Sequence, residues 1–92
     1  MRLLWRALSL RDREHIMQRI ALDNPLAAVQ LDELFEACAE RARQRPSLYK
    51  LGRVIGTREI VVKPNYVMVY RAHGEHVEVL RILHSRQQWP SV

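Results

Sequence analysis

Seven side chains in the last third of the chain have the types and spacing to handle an anion: Arg58, Lys63, Arg71, Arg81, His84, Arg86 and Trp89. A guanidinium pairs with a phosphate or carboxylate through two parallel hydrogen bonds, which a lysine ammonium cannot do. Arg58, Arg71 and Arg81 belong to separate β-branched runs. Gathered on one surface with Lys63, they would grip a phosphate or stabilise the charge that develops on a phosphorane. His84 follows directly, and nearby arginines would favour its neutral form, which suits a general base. Arg86 and Trp89 lie in the polar tail, where an indole could stack on a base or fill a groove of a partner. A structural reading competes at each position. Glu59 and Glu78 could neutralise the arginines across strands, His84 could bond to backbone, and Trp89 could fold back over the sheet edge.

Other chemistries lack support. His15, His73, His76 and His84, with one cysteine, show no paired spacing of the kind zinc sites use. Gly52 and Gly56 stand alone, so no glycine-rich phosphate loop is present. Neither Ser47 nor Ser85 has the flanking glycines of a nucleophile elbow. No metal and no cofactor is expected.

Charge points the same way as the arginines. The net charge is +5, yet residues 1–40 carry five Lys/Arg against seven Asp/Glu, whereas residues 41–92 carry ten against three. Thirteen of the fifteen cations are arginine. The second half is therefore built to meet something anionic: nucleic acid, a ribosome, a DNA-bound enzyme or an acidic protein. The acidic helical half argues against a basic helix-turn-helix.

The elements that must position these groups follow from periodicity. Residues 2–6 read as a short edge strand; Arg6, Arg11, Asp12 and Arg13 interrupt any signal-peptide core. Ser9 reads as an N-cap with Asp12 three positions on, predicting a helix from Leu10 to Leu22. Asn24 and Pro25 start a second helix, running to Gln44, with Ala27, Ala28, Leu31, Leu34, Phe35, Cys38 and Ala42 at spacings of three and four. Phe35 and Cys38 read as helix core. Pro46–Gly52 is the loop, and three strands follow: Arg53–Val62 (bent near Gly56), Tyr66–Ala72 and His76–Leu83. In the last, Val77, Val79, Arg81 and Leu83 should share a face by simple alternation. The expected architecture is α+β, in the order β-α-α-β-β-β, with a helix hairpin on a twisted antiparallel sheet. Ninety-two residues suit one domain. One cysteine fits a reducing cytoplasm, and no apolar run is long enough to span a bilayer.

This order of residues resembles the RelE/ParE family of bacterial toxins, and most closely its ParE branch. Trp5, Ala7 and Asp12 are similar to the family's opening W-x-x-x-A-x-x-D, with slightly altered spacing. Ala21-x-Asp23-Asn24-Pro25-x-Ala27-Ala28 resembles the segment between the two helices. Gly52-Arg53-Val54-x-Gly56-Thr57-Arg58-Glu59-Ile60, Pro64-Asn65-Tyr66, Val69-Tyr70-Arg71 and Ile82-Leu83-His84-x-Arg86, then Trp89-Pro90, resemble its sheet signature. The resemblance implies a toxin neutralised by a cognate antitoxin, whose disordered segment folds over it; Leu31, Leu34 and Phe35 are the expected contacts. It leaves two targets. ParE-like members act on DNA gyrase, through a surface here expected to include Arg58, Lys63, Arg71, Arg81, Arg86 and Trp89. RelE-like members cut messenger RNA on the ribosome, for which Arg58, Arg71, Arg81 and His84 would be catalytic. No tyrosine lies in the tail, and the ending His84-x-Arg86-x-x-Trp89-Pro90 is more ParE-like.

Overall fold

The computed structural model describes residues 1–90. Its elements are β1 (Arg2–Trp5), α1 (Ala7–Ala21), α2 (Pro25–Gln44), β2 (Lys50–Leu51), β3 (Arg58–Lys63), β4 (Tyr66–His73) and β5 (His76–His84). The strands form one sheet in the order β1-β5-β4-β3-β2, and the two helices pack on one of its faces. Neighbouring strands are antiparallel except β1, which lies parallel to β5 from Arg2 opposite His76 to Trp5 opposite Val79. The expected α+β architecture holds, with this edge strand making the sheet mixed.

The longest periodic stripe forms the most regular helix. Asn24 Oδ1 accepts a hydrogen bond from the Ala27 amide at 3.1 Å, and Pro25 occupies the first turn. Leu31, Phe35, Cys38, Ala39 and Ala42 then bury against Ile60, Met68, Tyr70, Val77, Val79 and Ile82. Full burial of a side chain such as Phe35 is worth roughly 1.5–3 kcal/mol. Its ring meets Tyr66 edge-on at 6.1 Å, and the Tyr70 hydroxyl donates to the Pro46 carbonyl at 2.6 Å. Leu31 and Phe35 thus face the sheet, and Leu34 packs partly buried on the same cluster. Of the residues expected to contact an antitoxin, Leu31 and Phe35 are therefore covered by the sheet, and Leu34 keeps part of its surface exposed. The exposed apolar side chains of the helix pair are instead Leu8, Leu10, Leu22, Leu26 and Val29.

α1 starts three residues earlier than its sequence suggests. Arg6 is the N-cap and makes no side-chain cap; Ser9 lies inside the helix, fully buried, with its hydroxyl donating to the Arg6 carbonyl at 2.6 Å. Asp12 is therefore free of any capping duty. Arg13 fastens α1 to α2, pairing with Asp32 and Glu36 at 2.8 Å each, and its guanidinium covers the Trp5 ring at 4.5 Å.

Two local irregularities break the simple strand pattern. The stretch expected as one long strand from Arg53 is a hairpin: β2 and β3 enclose a turn, with Gly52 N–H donating to Thr57 O and Thr57 N–H to Val54 O. Gly56 adopts φ +85°, and a side chain at Gly52 would strike Thr57 Oγ1. The second irregularity is a register shift in the β4–β5 pair, where Val69 faces Arg81 but Tyr70 faces Val79. Such a bulge reverses the alternation beyond it. Val77, Val79 and Ile82 face the helices, whereas Leu80 and Leu83 join Val69 under Trp89 on the open face.

Glu59 locks the β2–β3 turn. It is 4% exposed and accepts from Arg53 Nε, Arg53 Nη2 and the Arg53 amide at 3.0, 3.2 and 2.9 Å. Burial by itself would raise its pKa, but the Arg53 hydrogen bonds outweigh burial and hold it below the usual carboxylate value. A folded-state pKa below the unfolded one, about 4.3, adds stability that is present above that pH and lost as pH falls through the folded value. Glu59→Gln is expected to cost about 1–3 kcal/mol at neutral pH and to flatten the acid limb of stability measured by urea unfolding between pH 7 and 3. An acid limb as steep as that of the parent would show that Glu59 contributes nothing to it.

Candidate functional site

The structure sends the expected anion-gripping groups to different places. Arg58, on β3 opposite Tyr70, donates through Nη1 to the Tyr49 carbonyl at 2.6 Å. Arg71 lies opposite Glu78 and bonds it at 3.0 Å; Arg6 reaches the same carboxylate at 3.3 Å. Arg81 turns toward α1, where Asp12 accepts from its Nε at 2.8 Å and its Nη2 at 3.0 Å. Trp89 packs on the open-face cluster of Val69, Leu80 and Leu83. The convergence expected of Arg58, Arg71 and Arg81 does not occur, and the reason is acid–base pairing within the fold. Two of these three arginines already hold a carboxylate, and the third holds a backbone carbonyl.

Distance along the sheet separates them further. Tyr66 faces His84, whereas Arg58 faces Tyr70 and Arg71 faces Glu78. At about 3.4 Å per residue, Arg58 and Arg71 lie on the order of 13–17 Å along β4 from the His84 end. The four residues proposed for hydrolysis are thus not assembled into one site.

A different group is assembled. Lys63, Tyr66 and His84 occupy adjacent positions on β3, β4 and β5 at one end of the sheet, and Arg86 follows in the tail. The tail is anchored there: the Ser85 amide donates to the Asn65 carbonyl at 2.9 Å, and the Arg86 amide donates to His84 Nδ1 at 3.1 Å. A ring whose Nδ1 accepts carries its proton on Nε2 in the neutral form, which makes Nε2–H its one ring donor. The imidazole meets Tyr66 edge-on at 5.6 Å.

Between this end of the sheet and α1 runs a cleft of about 370 Å³, lined by Arg81, His84 and Tyr66 on one side and by Arg11, His15 and Arg19 on the other. The Asp12–Arg81 pair forms part of its wall, and both side chains are largely buried (12% and 15% exposed). Asp12 Oδ2 also accepts from the Ile82 amide at 2.9 Å. The Arg81 pKa is raised, first by the hydrogen bond it donates to Asp12, so the guanidinium stays charged. Sequence reading missed Arg11, His15 and Arg19, because the helical half was judged by its acidic sum. Their signal was present as spacing: positions i, i+4 and i+8 share one face of a helix. Among the described residues no group of three His, Cys, Asp or Glu side chains is disposed to hold a metal ion, and no helix is long and apolar enough to cross a membrane.

Comparison with known proteins places this arrangement. The family model described as "ParE toxin of type II toxin-antitoxin system, parDE" matches residues 3–89. A protein of Sinorhizobium fredii named "Putative toxin Y4kP" is 32% identical over 92 residues, which is 99% of this chain and 95% of that protein. Among solved structures, a chain from "Chromosomal ParDE TA system from P. aeruginosa" superposes with a TM-score of 0.81 at 18% identity, covering 91% of this chain and 95% of that one. The "YoeB/ParE toxin from Agrobacterium tumefaciens" gives a TM-score of 0.69 at 21% identity, covering 91% and 98%. At these identities the two structures speak to the fold alone.

The Asp12–Arg81 pair generates a stability test. Removing one partner of a buried pair leaves the other charge uncompensated, which costs about 3–5 kcal/mol. Asp12→Ala is expected to fall near the lower end of that range, because the pair keeps some solvent contact. Combining it with Arg81→Met should cost less than the two single losses together, by 1 kcal/mol or more in a double-mutant cycle of urea unfolding. Additive losses would mean that the two groups are not coupled.

Proposed function

The chain belongs to the ParE toxin family of type II toxin–antitoxin systems, and we propose that it arrests growth by inhibiting DNA gyrase until a cognate antitoxin neutralises it. The observation that carries the choice of target is the fate of the arginines. A ribosome-dependent ribonuclease needs several cations and a base around one scissile phosphate. Here Arg58 and Arg71 are tied down far from His84, and Arg81 is paired with Asp12. Gyrase inhibition through protein contacts makes no such demand. It requires a surface, for which the cationic end formed by Lys63, His84 and Arg86 is suited.

The antitoxin reading rests on the exposed apolar side chains of the helix pair. Leu22, Leu26 and Val29 are 86%, 66% and 48% exposed around the α1–α2 turn. A folding-upon-binding segment with its own apolar stripe would cover them. Gyrase as the target places the working protein in the cytoplasm, where no cofactor is required for a contact-based inhibitor.

Controlled expression of the intact chain separates the two targets. The expected outcome is relaxed plasmid DNA and gyrase-linked breaks with filamentous cells, before translation falls, and recovery when the antitoxin is co-expressed. Lys63→Ala with Arg86→Ala should reduce toxicity at least tenfold without loss of folded protein. Codon-specific messenger cleavage within minutes, with supercoiling intact, would overturn the gyrase reading in favour of the nuclease.

A further inference from the structure

We propose that the cleft between α1 and the end of β5 is a binding site for a nucleotide, with its phosphate held by Arg11, His15 and Arg19. The cleft is built by residues that the gyrase reading does not use, apart from His84. Its volume of about 370 Å³ falls in the range of small-molecule sites, roughly 300–1,000 Å³.

Charge is the first argument. Arg11, His15 and Arg19 are all exposed and follow one another every fourth residue along α1. Six arginines of this fold, Arg6, Arg13, Arg43, Arg53, Arg71 and Arg81, have a carboxylate of the described residues within 4.0 Å, and the other arginines, two of which line the cleft, do not. Among the described residues, Arg11 and Arg19 have none at that distance. The one carboxylate that lines the cleft, Asp12, already accepts two hydrogen bonds from Arg81 and one from the Ile82 amide. It cannot satisfy the stripe, and with Arg81 beside it, it does little to repel an incoming anion.

Shape and wall chemistry narrow the ligand. The stripe spans eight residues of helix, about 12 Å, longer than one inorganic phosphate requires. Opposite it stand the Tyr66 and His84 rings, with Ile16 and Ile82 supplying apolar surface between them. Cations along one wall and aromatic and apolar groups along the other match a phosphate joined to a planar base. The same chemistry is offered by a free nucleotide and by one unit of a nucleic acid strand, and the experiment distinguishes them.

The test uses the full chain, isotopically labelled, with three probes: inorganic phosphate, AMP and a five-residue oligothymidylate. AMP is expected to shift the ring signals of His15, Tyr66 and His84 saturably. Arg11→Gln with Arg19→Gln should weaken its affinity tenfold or more. Arg45→Gln with Lys50→Gln removes the same charge at exposed positions outside the cleft and should change affinity less than twofold; circular dichroism confirms that both variants fold. Tighter binding of AMP than of the oligothymidylate identifies a free nucleotide, and tighter binding of the oligothymidylate identifies a strand. The proposal is overturned if neither probe moves those rings, if both double variants weaken binding equally, or if inorganic phosphate binds as tightly as AMP. None of these results depends on whether gyrase is the target.

Discussion

A single carboxylate organises the functional end of this molecule. Asp12 accepts from Arg81 Nε, Arg81 Nη2 and the Ile82 amide, all within 3.0 Å, and so ties the first helix to the last strand across 69 and 70 positions of sequence. Coulomb attraction between largely buried partners is strong, but their desolvation is costly. The third bond, from a backbone amide, helps to satisfy the carboxylate. The bulge in β5 sets the phase at which Arg81 leaves the strand. Without that register shift, Arg81 would stay in phase with Val77 and Val79, among the side chains packed under the helices.

The same interaction decides what the remaining cations can do. With Arg81 held by Asp12, Arg71 by Glu78 and Arg58 by the Tyr49 carbonyl, the sheet offers no arginine cluster for phosphate chemistry. Uncommitted arginines line the cleft on α1, Lys63 and Arg86 lie at the His84 end, and Arg45 and Lys50 are exposed outside the cleft. A toxin that works by contact suits this distribution better than one that must stabilise a transition state. The open face of the sheet is similarly occupied, because Trp89 of the tail packs on Val69, Leu80 and Leu83 and is not free to stack on a base.

Much of the fold was legible in residue order. The Asn24–Pro25 start of α2 and its apolar stripe are local signals of known period, and each appears where its spacing places it. The departures have physical causes that local spacing does not carry. Ser9 resembles a cap, but α1 begins at Ala7, and Ser9 is buried within its first turn. The Arg53–Thr57 stretch resembles a strand, but Gly56 and the Arg53–Glu59 bonds turn it. A bulge adds one residue to a β-branched run without changing its composition, so the reversal after Leu80 left no mark. The candidate site was harder still. Which carboxylate an arginine finds is a property of the folded chain, and Asp12 lies far from Arg81 in sequence.

Asp12 thus holds the Arg81 guanidinium in place and commits it to a pair within the fold. Side-chain nitrogen NMR of the folded protein tests it most directly, through the solvent exchange of the Arg81 Nε proton. Exchange is expected to be at least tenfold slower for Arg81 than for Arg11 and Arg19, with the difference abolished in Asp12→Asn. Exchange as fast at Arg81 as at the two exposed arginines would contradict it.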